Sequence, residues 1–332
     1  MLARVADSIY WMSRYIERAE NVARFIEVNL NLMLDLPVGS AQQWQPLVDT
    51  TGDAAAFAKR YGMATQRNVI QFLTFDPESA NSIRSCLRAA RENARSVREI
   101  ISSEMWEQLN EFYLMVNSAD AGSRTDPQEL FASVRMAGHL FNGVTDATMT
   151  HNEGWHFCQL GRMLERADKT SRILDVKYFL LLPSANDVGT TSDDIQWAAV
   201  LRSASAFEMY RKSHGRIAPD RVVEFLLFEK EFPRAIQYCL MRARESVHAI
   251  SGTPVGMFQH PVERLLGDLC SELAYARVEA IIAAGLHEHL DRLQNKMNQV
   301  GNGISETFFA ARGAPPVRKK ARGRTAAAAV VV

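Results

Sequence analysis

The chain has 332 residues, and its 38 Lys and Arg are balanced by 38 Asp and Glu, so its formal net charge is zero. This balance gives no support to the binding of nucleic acid or of an anionic membrane surface, and we expect neither as a partner. Hydrophobic residues make up 47% of the chain and charged residues 23%, which is ordinary globular usage and predicts a sizeable core.

The N-terminal segment is rich in charge, with five charged side chains among its first eighteen residues. It leaves no uninterrupted apolar core for a secretory signal, which favours a cytoplasmic location. The longest apolar runs are far shorter than the roughly 20 residues that a membrane-spanning helix needs. The four cysteines form no Cys-x-x-Cys pair, so no zinc-binding or redox motif of that kind is present in the sequence.

The first predicted element is a long helix near the N-terminus. Apolar residues recur every three or four positions over residues 9–30, and alternation of apolar and polar residues is scarce along the chain. Further on, Asp76-Pro77 and Asp126-Pro127 each place a capping residue before a proline, which is the order expected at a helix start. These patterns predict an all-α fold.

The second half of the chain repeats the first. The segment that begins at Ile9 matches the segment that begins at Phe157, an offset of 148 residues. Identical pairs in this block are Arg14 and Arg162, Glu17 and Glu165, Arg18 and Arg166, Ala19 and Ala167, Arg24 and Arg172, and Val28 and Val176. A second block matches without a gap at an offset of 153 residues, and its pairs include Trp44 and Trp197, Cys86 and Cys239, Arg91 and Arg244, and Glu92 and Glu245.

Two collinear matches predict two tandemly duplicated helical-bundle units, over residues 1–148 and 149–310. We expect them to pack around an approximate two-fold axis, because the like faces of duplicated units tend to bury each other. The basic segment over residues 311–332 is predicted to be a disordered tail.

Charged residues of the repeated helix share one strip of a helix that is apolar on both of its other sides. An unpaired ion in such a partly buried setting costs several kcal/mol, so each charge needs a partner or a ligand. The candidate residues are Arg14, Glu17, Arg18, Glu20, Arg24, Arg91 and Glu92 in the first unit, and Arg162, Glu165, Arg166, Asp168, Arg172, Arg244 and Glu245 in the second.

Two interpretations of this strip are open. In the structural one, Glu17 and Glu165 pair with arginines on neighbouring helices, and the remaining complementary charge comes from the second repeated block. The residues that would supply it are Arg91, Glu92, Arg244 and Glu245. In the functional one, the arginines hold a carboxylate or phosphate, whose geometry a guanidinium fork matches.

A metal site is a weaker alternative. Glu17 with Glu20, and Glu165 with Asp168, place carboxylates three residues apart on a helix. Metal centres inside helical bundles normally also use a Glu-x-x-His element, which neither unit contains, so we expect no metal and no other cofactor. No phosphate-binding loop and no activated nucleophile is recognisable either, so the catalytic residues, if any, are unknown.

The segments YWMSRYIERAEN and LGRMLERADKTSRILDV resemble the two signature helices of the bacterial alpha-E family, which is named for a helical motif with Glu followed by Arg. The resemblance extends to about residue 310. It assigns the motif positions to Arg14, Glu17, Arg18 and Glu20, and to Arg162, Glu165, Arg166 and Asp168. In that family the proteins are encoded with, or fused to, ATP-grasp-type amidoligase-like proteins, and they accompany transglutaminase-like peptidases.

The resemblance therefore implies a part in a bacterial peptide-modification or amide-bond-forming system. The first hypothesis is a non-catalytic binding or scaffold component that has no activity alone and has an ATP-grasp-type protein, or a transglutaminase-like peptidase, as its partner. The second is a helical enzyme that uses its Glu-Arg pairs as general base and anion clamp on a peptide or amide substrate.

Overall fold

A computed structural model describes residues 1–35, 44–119, 126–180 and 191–310 of the chain. All regular elements among these residues are helices, and no strand occurs there. The prediction of an all-α fold is thus confirmed. The predicted basic tail over residues 311–332 lies outside the described residues.

The first half of the chain contains seven described helices. They are α1 (Ala3–Asp35), α2 (Gln45–Thr51), α3 (Ala54–Tyr61), α4 (Gln66–Thr74), α5 (Ile83–Ser96), α6 (Ser103–Ser118) and α7 (Pro127–Thr148).

The second half begins with another long helix and ends in a single π-helical turn. Its elements are α8 (Glu153–Leu180), α9 (Thr191–Ser203), α10 (Phe207–His214), α11 (Pro219–Phe228), α12 (Ile236–Ser251), α13 (Pro261–Tyr275), α14 (Val278–Ala284), α15 (Leu286–Ile304) and the π-helix Ser305–Phe309.

Helices α1 and α8 are the central elements of the structure. They pack against each other, and α1 also packs against α5 and α7, while α8 packs against α12 and α15. Side chains on opposite sides of α1 are buried, among them Ile9, Tyr10 and Met12. A helix that is apolar on more than one side is buried in this way because each of its faces needs a neighbour.

A glycine permits the close contact between α1 and α8. A Cβ atom placed on Gly161 of α8 would lie 2.4 Å from the carbonyl oxygen of Tyr10, which is closer than two non-bonded heavy atoms can approach. The backbones of the two helices therefore meet one turn before Glu165. Ser13, which matches Gly161 at the offset of 148 residues, is also buried.

One of the two helix starts predicted from proline is confirmed and the other is wrong. Helix α7 begins at Pro127, and the Asp126 side chain accepts a hydrogen bond from the backbone of Gln128. No helix begins at Pro77, although the Asp76 side chain accepts the equivalent hydrogen bond from the Glu78 backbone; residues 77 and 78 form a turn there. The next helix, α5, starts only at residue 83.

Helix starts recur at a constant spacing. Helices α3, α4 and α5 begin at residues 54, 66 and 83, whereas α10, α11 and α12 begin at residues 207, 219 and 236, a difference of 153 in each case. Among the described residues, no helix is long and apolar enough to cross a membrane.

Candidate functional site

Two Glu-Arg sequences bind each other across the contact between α1 and α8. Arg166 of α8 donates from Nε and Nη2 to the two carboxylate oxygens of Glu17, with both distances 2.8 Å. In return Arg18 of α1 donates from Nε and Nη2 to the two oxygens of Glu165, at 2.7 and 3.0 Å. Each glutamate thus receives a bidentate guanidinium from the opposite helix, which is the strongest geometry for such a pair.

The first of these carboxylates lies in a fully buried group that we call the Glu17 cluster. Glu17 is 1% exposed, and besides Arg166 it accepts hydrogen bonds from Arg234 at 3.1 Å and from Asn21 at 3.0 Å. Arg234 also donates to both oxygens of Glu20, at 2.9 and 3.1 Å. Burial alone would raise the pKa of Glu17, but Arg166 and Arg234 hold it below its ordinary value. This carboxylate is therefore ionised and fully engaged.

The second carboxylate lies in the Glu165 cluster. Glu165 is 0% exposed, and besides Arg18 it accepts a hydrogen bond from Arg14 at 2.8 Å and lies 3.5 Å from the Lys169 ammonium. Burial alone would raise its pKa, but the three cations hold it well below the ordinary value. Next to it, Asp168 accepts hydrogen bonds on Oδ2 from Lys169 at 3.1 Å and from Arg172 at 3.0 Å.

Each cluster has a further cation besides the arginine of the opposite helix, and this cation comes from a different element in each. It is Arg234, before α12, in the Glu17 cluster and Lys169, on α8, in the Glu165 cluster. Asn21 of the Glu17 cluster matches Lys169 of the Glu165 cluster at the offset of 148 residues, so one helix supplies an amide and the other an ammonium. Arg234, in the turn before α12, matches Asn81 at the offset of 153 residues, and Asn81 accepts a hydrogen bond from Arg18 at 2.8 Å. Where one position loses a positive charge, the other gains it.

Arg24 is the most deeply buried guanidinium of the site. It pairs with Glu20 one turn away and contacts the hydroxyl of Ser205, and it is 1% exposed. Burial and the nearby Arg234 lower the pKa of Arg24 well below its ordinary value. Ser205 has a left-handed backbone with φ of 51°, at the position that Gly52 occupies in the first half. A non-glycine residue in that region costs about 1 kcal/mol, and only such a residue can offer a hydroxyl to Arg24.

A histidine on α7 lies at the edge of the Glu17 cluster. His139 Nε2 is 3.7 Å from a carboxylate oxygen of Glu20. Its pKa is nevertheless lowered to about 4, because burial and the guanidinium groups of Arg24 and Arg234 outweigh that carboxylate. His139 is therefore neutral at neutral pH.

Arg162 does not repeat the role of Arg14. Arg14 donates to Glu165, whereas Arg162 donates from Nη2 to Gln159 at 2.5 Å. Its Nε is buried without a hydrogen-bond partner among the described residues. The Glu17 cluster thus receives no cation from this position, and the two halves of the motif are not used alike.

The structural interpretation was wrong about the second repeated block. Glu92 and Glu245 are exposed, and they pair with Arg95 at 2.6 Å and with Arg242 at 2.5 Å. Arg91 donates to Asn110, and the buried Nε of Arg244 has no partner among the described residues. These residues do not reach Glu17 or Glu165, because the buried faces of α5 and α12 carry other side chains, among them Cys86, Ala90, Cys239 and Ala243.

Metal-binding and nucleophilic side chains form no further site among the described residues. No group of three or more His, Cys, Asp or Glu that could hold a metal ion occurs among the described residues. Cys86 and Cys239 are fully buried, and burial raises the pKa of each thiol to about 12. A thiol with such a pKa is a poor nucleophile at neutral pH.

Sequence reasoning missed Arg234, Asn81, His139 and Ser205. The offset of 153 residues does place Arg234 opposite Asn81, inside a block of matching residues, and that exchange of a neutral for a charged residue was the available signal. No local pattern identifies His139, because α7 lies outside both matching blocks.

Comparison with known proteins finds relatives in two mycobacteria. An uncharacterized protein of Mycobacterium bovis is 25% identical over 313 residues, which cover 87% of this chain and 34% of the relative. Two uncharacterized proteins of Mycobacterium tuberculosis are 25% and 24% identical with the same coverage. The chain thus spans about a third of the length of these relatives. No solved structure matches it.

The description of the matching family names the same Glu-Arg motif that joins α1 and α8. The model of the Alpha-E family, described as a predicted alpha-helical domain with a conserved ER motif, matches residues 1–309. The two Glu-Arg sequences that bind each other in the structure are Glu17-Arg18 and Glu165-Arg166. The chain belongs to the Alpha-E family.

Proposed function

We propose that this chain is a non-catalytic binding or scaffold component of a bacterial peptide-modification system, and that its partner is an ATP-grasp-type amidoligase-like protein. The observation that carries the proposal is the complete engagement of both motif glutamates. Glu17 and Glu165 are at most 1% exposed, and each accepts hydrogen bonds from two guanidinium groups. The motif therefore joins two helices.

The alternative of a helical enzyme is less well supported by the same geometry. A general base must reach a substrate proton and have a pKa near the working pH. Glu17 and Glu165 are buried, and their pKa values are held below the ordinary range by arginines. Both properties argue against a role as base.

The size of the relatives supports a component that works together with other domains. In the mycobacterial relatives, the matched region is 34% of the chain, so about two thirds of each protein lies outside the match. The family resemblance suggests an ATP-grasp-type partner, with a transglutaminase-like peptidase as a second candidate. The cytoplasmic location stays a prediction, and it is the compartment in which an ATP-dependent partner would work.

We also propose that the two halves arose by duplication, with units over residues 1–148 and 149–310 around an approximate two-fold axis. Support comes from the spacing of 153 residues between the starts of α3, α4 and α5 and those of α10, α11 and α12. The reciprocal binding of Glu17-Arg18 and Glu165-Arg166 also fits such an axis.

The partnership can be tested with the purified chain and the ATP-grasp-type protein encoded nearest to it. We expect the two to elute as one complex in size-exclusion chromatography with light scattering, and the chain to raise the partner's rate of amide-product formation. ATP hydrolysis by the chain alone should be absent. An ATP-grasp-type protein from a genome without an Alpha-E gene is the negative control.

Two results would overturn the proposal. One is the absence of a complex together with an unchanged rate of product formation. The other is ATP or amide turnover by the isolated chain that is lost in Glu165→Gln while the melting temperature stays the same, because that result would make the motif catalytic.

A further inference from the structure

A cavity of about 380 Å³ opens beside the Glu165 cluster, between α1, α8, α15 and the π-helical turn. Its volume is within the range of pockets that bind small molecules. Its lining includes Trp11, Arg14, Asp168, Asn302, Ser305 and Phe309. The Glu17 cluster does not contribute to this cavity, so only one half of the motif reaches it.

Positive charge exceeds negative charge in the Glu165 cluster as a whole, of which Arg14 and Asp168 line the cavity. Four cations surround the two carboxylates of Glu165 and Asp168 in direct ion pairs. They are Arg14, Arg18, Lys169 and Arg172. Asp53 reaches the cluster only through Asn81 and lowers the excess from two charges to one. A partly buried excess of positive charge favours the binding of an anion.

Arg14 offers part of its guanidinium to the cavity. Its Nε donates to Glu165 at 2.8 Å and its Nη1 donates to the Tyr10 hydroxyl at 3.1 Å, whereas Nη2 makes no hydrogen bond to the described residues. The Trp11 ring lies 4.9 Å from the Arg14 guanidinium carbon and holds the group in place. Nη2 of this cavity-lining arginine therefore keeps hydrogen-bonding capacity that no described residue uses.

Asp168 offers the opposite charge in the same cavity. Both of its hydrogen bonds, from Lys169 and Arg172, go to Oδ2. Its Oδ1 accepts no hydrogen bond from the described residues, so it is available to an N–H donor. A phosphate, with its higher negative charge, would be repelled by this carboxylate. A ligand that carries one carboxylate and a nearby N–H group could accept a hydrogen bond from Arg14 and donate one to Asp168.

The wall opposite α8 is suited to the rest of such a ligand. Asn302 and Ser305 provide polar groups that make no side-chain hydrogen bonds to the described residues, and Trp11 and Phe309 provide aromatic surface. Ser305 and Phe309 are the two ends of the π-helical turn. Single π-helical turns are rare and occur frequently at functional sites.

We propose that this cavity binds an α-carboxylate with an adjacent N–H group and an apolar side chain, with Arg14 on the carboxylate and Asp168 on the N–H group. Two molecules share this chemistry, a free amino acid and the C-terminal residue of a peptide. The site goes beyond the proposed scaffold role and does not require the partner protein, so either idea can fail without the other.

Isothermal titration calorimetry on the full chain tests the site with three probes. L-Phenylalanine represents the free amino acid, N-acetyl-L-phenylalanine represents a peptide C-terminus, and L-phenylalaninamide lacks the carboxylate. We expect binding of at least one of the first two and at least tenfold weaker binding of the amide. Binding of L-phenylalanine alone identifies the source as a free amino acid, whereas binding of the acetylated probe identifies a peptide end.

A pair of glycine substitutions provides the matched control. A Cβ on Gly301 would meet only Arg14 Nη1, at 3.9 Å, so a side chain can begin at this position without a clash and Gly301→Leu should occupy part of the cavity. A Cβ on Gly267 of α13 would meet no atom within 4 Å, and Gly267→Leu leaves the cavity unchanged. We expect Gly301→Leu to weaken binding at least tenfold and Gly267→Leu to leave it within a factor of two, with both variants folded by circular dichroism.

Three results would overturn the proposal. They are the absence of binding by either carboxylate probe, equal binding of L-phenylalaninamide, and unchanged binding in a folded Gly301→Leu variant. Arg14→Gln provides a second readout, because it should reduce the affinity for the carboxylate probes without affecting the weak affinity for the amide.

Discussion

Arg166 binds both carboxylate oxygens of Glu17, at 2.8 Å each, across a gap of 149 residues in sequence. The pair is buried, with side-chain exposures of 10% for Arg166 and 1% for Glu17. Removing one member of a buried pair leaves the other without compensation in a place that water does not reach. The contact therefore makes the packing of α8 on α1 depend in part on the charge of Glu17.

Glu17→Gln should lower the free energy of unfolding by about 3 to 5 kcal/mol, because Arg166 and Arg234 would lose their common carboxylate. Glu165→Gln should have an effect of similar size, since Arg14 and Arg18 depend on it in the same way. Urea denaturation followed by circular dichroism measures both losses.

Glu245→Gln is the matched control for these substitutions. Glu245 belongs to the second repeated block and pairs with Arg242 at 2.5 Å, but both side chains are nearly half exposed. An exposed pair contributes at most about 1 kcal/mol. Near-native urea midpoints for Glu17→Gln and Glu165→Gln would contradict the structural role of the motif.

The two clusters should tolerate an exchange of their extra cation. Arg234→Asn alone removes a guanidinium from Glu17 and Glu20, and Asn21→Lys alone adds a positive charge beside Arg234. Together they give the Glu17 cluster the arrangement that Lys169 and Asn81 have in the other one. We expect both single variants to be destabilised. The loss of unfolding free energy in the double variant should be smaller than the sum of the two single losses by at least about 1 kcal/mol.

A double-mutant cycle in urea measures this coupling. Arg234→Asn combined with Glu245→Gln is the control, because the second site is remote from the cluster, and the two losses should simply add. Additive losses for Arg234→Asn and Asn21→Lys as well would show that the two positions do not substitute for each other.

The central helices could be predicted from sequence, because their information is local. The spacing of apolar residues by three and four positions over residues 9–30 predicts α1. Apolar residues on opposite sides of this helix predict its buried position. Because buried charges need partners, Glu17 and Glu165 were expected to pair with arginines, and they do so in the structure.

The choice of partners could not be predicted, because it depends on the register of two helices that are far apart in sequence. That register is set by the approach of Gly161 to the Tyr10 backbone, which no spacing within one helix records. The error about Arg91 and Glu92 was avoidable. Buried residues of α5 such as Cys86 and Ala90 lie on one stripe, and Glu92 is off that stripe.

Stability should fall as the pH is lowered from about 6.5 to 4, in part because of His139. Its pKa is lowered to about 4 in the folded chain, from an unfolded value near 6.5. Between those values the unfolded chain binds the proton more readily, so stability is complete above pH 6.5 and declines below it. His139→Asn should reduce the slope of unfolding free energy against pH in this window.

A second decline should follow at lower pH. The pKa values of Glu17 and Glu165 are depressed in the folded chain, so their contribution is present above the unfolded value of about 4.3 and is lost as the pH falls further. Urea midpoints at half-unit pH steps measure both declines. An identical profile for His139→Asn would contradict the first assignment.

Gly161→Ala should disturb the contact between α1 and α8 at its closest point. The new methyl group would lie 2.4 Å from the Tyr10 carbonyl oxygen and 3.3 Å from Cγ of Arg14. The first neighbour is backbone and cannot rotate away, so the helices must separate at a cost of about 1 to 3 kcal/mol. Since Arg14 and Glu165 lie within one turn of this contact, the separation of the helices should also lengthen the hydrogen bond from Arg14 to Glu165.

Gly143→Ala separates this effect from the general preference of helices for alanine. Gly143 lies inside α7, and a Cβ there would meet no atom within 4 Å, so the substitution should leave stability unchanged or raise it by up to about 1 kcal/mol. Thermal melts of the two variants should therefore shift in opposite directions or differ by several degrees. If Gly161→Ala melted at or above the temperature of Gly143→Ala, the close backbone approach would not be what sets the register in which the Glu-Arg sequences meet.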